Sequence, residues 1–146
     1  MDLGNPVLFV SRVFSIISVF FAILGSIYYL PIYKLNPWVI RLALLQVAIF
    51  IIWLIAENKF NPVKFNALLG LGLIVSGIHL YRIKGNFGTG NGWVLLGIAI
   101  ISLAAVVQGL EISISKEWFN HNDIGHLVMI FGLVFMVRGV KNIATS

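Results

Sequence analysis

The 146-residue chain has no cysteine, which excludes disulfides, thiolate metal sites, thioether haem attachment and cysteine nucleophiles. Charge is scarce too: 10% of residues are charged and 60% are hydrophobic, where a soluble domain carries about 25% charged residues. So few charges cannot cover the surface of a water-soluble fold of this size. No Pro/Gly/Ser-rich linker or low-complexity stretch divides the chain, so a single domain is expected.

The chain does contain long continuous apolar runs, and lipid is the medium that accommodates them. Five segments stand out, at about 6–30, 37–56, 66–83, 93–114 and 123–140. At a rise of about 1.5 Å per residue, each approaches the ~20 residues needed to cross ~30 Å of hydrocarbon. The runs are continuous rather than alternating, which argues against a strand barrel. The expected fold is an all-α polytopic transmembrane bundle of about five spans. Pro37 suits a first helical turn, and Gly85, Gly88, Gly90 and Gly92 read as the turn after the third span. The last span is the shortest, with Arg138 snorkelling at its end. The first run follows Asp2 rather than a basic stretch and is too long for a signal-peptide core, so it reads as a retained helix.

The net charge of +5 is not a nucleic-acid footprint, because the basic residues are spread between apolar segments. They act first as topology signals. With five spans, one side holds Lys34, Arg41, Arg82, Lys84, Arg138 and Lys141. The other holds Arg12, Lys59, Lys64 and Lys116 with all five acids. This bias predicts an outside N-terminus and a cytoplasmic C-terminus; the membrane expected is a bacterial inner membrane. Membrane lipids and further membrane subunits or copies of the chain are the expected partners.

Polar side chains within lipid are costly and need a role or a partner. The topology places Arg12, Glu57, Asn66, Gln108, Glu111, His121, Asn122, Asp123 and His126 at the outer level, and Gln46 near mid-depth. His79 lies near the opposite end of its span from His126, which disfavours a haem held between the two. No lysine within a span offers a retinal anchor. The run from Gly85 to Gly90 lacks the strand that a phosphate-binding loop requires. Gly70, Gly72, Gly77 and Gly97 suit close helix packing. Arg12 and Glu111 suit an ion pair.

The segment from Trp118 to His126 is richest in chemistry. A helix starting there puts Asp123 and Asn122 on one face with His126. Imidazole and carboxylate at this spacing suit Zn²⁺, with His121 as a further ligand and Glu111 as a third ligand or the base for a metal-bound water. Against this stands a structural reading, in which Asn120, Asn122 or Asp123 caps the last helix and complements its dipole.

Residues 121–139 read HNDIGHLVMIFGLVFMVRG. This resembles the last-helix signature H-N-D-x-x-H of an uncharacterised group of bacterial multi-span membrane proteins. That group is distantly similar to the CREST superfamily of adiponectin receptors and alkaline ceramidases. The resemblance implies a zinc-dependent hydrolase of lipid-like amides or esters. In it, His126 matches the second of two histidines four residues apart and Asn122 falls at the first. Three classes thus stand: an assembly or accessory module of a membrane complex, a metal-dependent hydrolase, and an ion or proton transporter. The first needs no residue that the sequence lacks.

Overall fold

The computed structural model describes residues 6–28, 37–83, 88–115 and 119–145, without the side chains of Pro37, Val39, Gly109 and Asn122. Asp2, Lys34, Lys84, Gly85, Lys116 and Trp118, singled out above, lie outside these residues, and so does the Asn122 side chain. Five helices are long and apolar enough to cross a membrane. They are α1 (Pro6–Tyr28), α2 (Pro37–Glu57), α3 (Asn61–Ile83), α4 (Gly90–Gly109) and α5 (His121–Ala144). Among the described residues the only pairing outside helices is an isolated bridge between Ser115 and Phe119, in the α4–α5 connection.

Three helices differ in their bounds from the sequence reading. Helix α3 begins at Asn61 rather than near Asn66, because Pro62 is well placed in a first turn and Lys64 can lie outward, its ammonium over the Phe60 ring. Helix α4 begins at Gly90 and ends at Gly109 rather than running over 93–114. Gly90 and Gly92 are therefore helical residues, not turn residues. Helix α5 starts at His121 and continues to Ala144, so the segment expected to be the shortest span forms the longest helix.

The helices gather into two compact units, Met1–Ile78 and His79–Ser146. In the first, α1, α2 and the start of α3 pack through large side chains. Ile16, Phe50, Leu54 and Val63 form a buried cluster flanked by Phe9, Val13, Val47, Ile51 and Trp53. The Phe50, Trp53 and Phe65 rings continue it as a stack with centroid spacings of 5.9 and 5.6 Å. Within α3, residues Leu68–Val75 widen to a π-helix, and the Ser76 hydroxyl donates to the Leu71 carbonyl at 2.8 Å.

In the second unit α4 and α5 form an antiparallel pair joined by residues 110–120, and they meet backbone to backbone. A Cβ placed on Gly97 would lie 2.6 Å from the Gly132 carbonyl, and one on Gly132 would lie 2.8 Å from that of Gly97. Gly90 and Gly139 stand in the same reciprocal relation, at 2.5 and 2.7 Å. Gly90, Gly97 and the fully buried Ala104 are spaced by seven, and so are Gly125, Gly132 and Gly139 on α5. A period of seven keeps one stripe facing the partner only if the pair winds left-handed. At this spacing attraction comes from van der Waals contact and Cα–H···O interactions rather than from hydrophobicity, since lipid is as apolar as the side chains.

Candidate functional site

At the α4–α5 connection, each polar group is first a solution to the problem of ending a helix. Helix α4 stops in a left-handed turn. Glu111 has φ 53°, its N–H reaches the Gln108 carbonyl at 3.3 Å, and the Ile112 N–H reaches that of Val107 at 3.1 Å. This is the Schellman arrangement, with glutamate where glycine is usual. Glu111 therefore does not share a helical face with Gln108; it turns off the helix and is exposed. The amide of Gln108 instead lies against Gly125, where a Cβ would meet its Nε2 at 2.5 Å.

Helix α5 starts with a reciprocal cap. The Asn120 N–H donates to Asp123 Oδ2 at 3.1 Å, and the Asp123 N–H donates to Asn120 Oδ1 at 3.4 Å. The Ile124 N–H then closes the first turn on the Asn120 carbonyl. This is a capping box with Asn and Asp in the usual Ser/Thr and Glu places, and the Asp charge complements the helix dipole. His121 is the first helical residue, half-buried, and His126 is exposed. Among the described residues, no three of His, Asp and Glu are placed to hold a metal ion. The expected zinc set His126, Asp123 and His121, with Glu111 as ligand or base, is not gathered among the described residues: the carboxylate of Asp123 closes its own first turn, and Glu111 has left the helix.

The first unit treats its polar residues in the same way. Helix α2 ends at Glu57, which is exposed, and Asn58 follows with φ 46°, its N–H on the Leu54 carbonyl at 2.8 Å. Asparagine tolerates this conformation because its short side chain can bond locally. Arg12 of α1 donates through Nη1 to the Asn58 carbonyl at 2.8 Å and to Oδ1 at 3.0 Å. A cation there satisfies carbonyls at a helix C-terminus and opposes the negative dipole end. Arg12, expected beside Glu111, thus has its hydrogen-bond partner within its own unit.

Deeper in this unit, Gln46 Nε2 donates to Asn66 Oδ1 at 3.0 Å, and Asn66 Nδ2 donates to the Ile16 carbonyl at 3.3 Å. Asn66 is buried inside α3 rather than opening it. Three helices are tied by one polar thread that the sequence reading did not join. The missed signal was Pro62, which sets the start of α3 and moves Asn66 inward towards Gln46.

At the far end of the second unit, buried His79 shares a 2.8 Å hydrogen bond between Nδ1 and Asn91 Oδ1. Arg138 lies over the Trp93 ring at 4.2 Å, and that ring stacks on Phe135 at 5.5 Å. His79 meets the first turn of α4 while Gly125, next to His126, meets its last turn at Gln108. About 17 residues of helix, or roughly 25 Å, separate these turns. The two histidines stand at opposite ends of α4, as the depth sorting predicts.

Residues 3–145 match a family of unknown function, DUF6962. The match covers nearly the whole chain. The chain belongs to DUF6962. No curated protein and no solved structure matches it. Membership of DUF6962 lends no support to the expected kinship with the CREST hydrolases or to a bacterial source.

Proposed function

We propose that the DUF6962 chain is a structural assembly module, an integral membrane protein that works by packing against further membrane-embedded helices. One observation carries this reading: the fate of its polar side chains. Arg12, Asn58, Asn120 and Asp123 are spent on helix ends, and Gln46, Asn66, His79 and Asn91 on hydrogen bonds inside a unit. No buried side-chain nitrogen or oxygen among the described residues lacks a partner. Only 11–28% of the residues in each span's apolar stretch are buried, and large apolar side chains on every span are exposed to lipid or to other helices.

The test is the mass of the purified protein in detergent and in nanodiscs, beside its His126→Ala variant. Assembly predicts a mass well above one chain that the variant retains. A single chain in both media, with one bound metal ion per chain that His126→Ala abolishes, overturns the reading in favour of the hydrolase.

A further inference from the structure

The most regular outward feature is on α1. Ser11, Phe14, Ser18, Phe21, Gly25 and Tyr28 recur at steps of three and four, the a and d positions of a heptad. All six are exposed. Their order alternates small and aromatic, which differs from the branched aliphatic residues that a surface facing only lipid can use. Small residues on a span mark places where another backbone comes close. Two of the serines at this level add no polar cost: Ser15 bonds the Ser11 carbonyl and Ser18 bonds that of Ser15, both at 2.9 Å. At Gly25 an added Cβ would meet nothing within 4 Å, so the seam has an open notch flanked by the Phe21 and Tyr28 ridges.

We infer that this seam is the interface with a second copy of the chain, α1 against α1. The inference rests on the assembly reading and names its partner. Copies inserted by the same charge pattern share one orientation, so a two-fold pair is isologous and brings the two α1 helices together in parallel. In a parallel heptad pair each aromatic d residue packs into a hole bordered by the small a residues of its counterpart. The stripe is thus complementary to itself, as the seven-spaced stripes of α4 and α5 are to each other.

The area is sufficient as well. Phe14, Phe21 and Tyr28 are 67%, 64% and 71% exposed, and such side chains carry roughly 150–250 Å² each, so covering them removes roughly 400 Å² per copy. Val7 and Val10 extend the seam to on the order of 550 Å² per copy, or about 1,100 Å² in total, past the ~1,000 Å² expected of a biological interface.

The absence of native cysteine makes the test direct. Single variants Ser11→Cys, Ser18→Cys and Gly25→Cys in the full chain, oxidised in native-like membranes, are expected to form disulfide-linked dimers. Ala48→Cys, exposed on α2, is expected to stay uncrosslinked. Gly25→Leu, whose Cβ meets nothing within 4 Å in its own chain, should fill the notch and lower dimer affinity at least tenfold in a dilution series. An oligomer that persists in Gly25→Leu, with no α1 crosslinks or with equal ones through Ala48→Cys, overturns the seam and leaves the assembly reading intact. A wild-type chain that stays single at every dilution overturns both.

Discussion

The unit built from α1, α2 and the first part of α3 joins its helices through side chains, whereas the pair α4 and α5 joins through backbone. In the first, an apolar cluster around Ile16 and Leu54 fills the space, and the thread from Gln46 through Asn66 to the Ile16 carbonyl fixes the register. In the second, glycines at a spacing of seven bring the two backbones into direct contact along one stripe, with side chains such as Trp93, Phe135 and Arg138 meeting beside it. The difference concerns tolerance. A side-chain interface can shift a rotamer to absorb a change, but a carbonyl held against a Cα has nowhere to go.

The largest expected effect is at the backbone contact. Gly97→Val should destabilise the α4–α5 pair by about 3 kcal/mol or more, because its Cβ would stand 2.6 Å from the Gly132 carbonyl. Unfolding in mixed detergent, followed by circular dichroism, measures it. A loss no larger than that of Gly70→Val, whose Cβ has side chains of Val19, Ile23 and Gln46 as its nearest neighbours, would erase the contrast between the units.

Next comes Asn66→Leu, which leaves the Gln46 amide without its acceptor. A loss of about 1–2 kcal/mol is expected, most of it recovered in the double variant with Gln46→Leu. A double-variant cycle reads this coupling, and additive losses would show that the thread does not hold the three helices together. Arg12→Gln should cost about 1 kcal/mol through the exposed end of α2. Amide exchange at Asn58 and Lys59 is its readout, and unchanged protection would count against the cap.

The smallest effect has the opposite sign. Glu111→Gly should stabilise by about 1 kcal/mol, since glycine adopts positive φ without the clash a side chain brings. Destabilisation in the same detergent assay would mean that the Glu111 side chain contributes more than its backbone costs.

The five spans were legible because continuous apolar runs have no other stable setting. Helix ends were less so. The end of α4 was hidden because its left-handed residue is Glu111 rather than glycine, and a reading that looks for glycine passes over it. Gly90 and Gly92 misled in the opposite direction, since a glycine-rich run signals a turn locally while one of its members serves a partner more than forty residues away. The seven-residue spacing of Gly125, Gly132 and Gly139 was visible in the sequence. Its meaning depended on finding the matching stripe on α4. A cap of α5 was anticipated on Asn120, Asn122 or Asp123, because such a side chain ahead of an apolar run can satisfy an orphan amide; that Asn120 and Asp123 cap each other was not.

The short connection over residues 110–120 has a bearing on how the protein is made. An interface built on close backbone contact offers little to guide its halves from a distance, so a long search between them would be slow and open to mispairing. Here the two stripes are neighbours along the chain, and contacts between sequence neighbours form fastest. As neighbours along the chain, α4 and α5 can close on each other as one hairpin once both have been made.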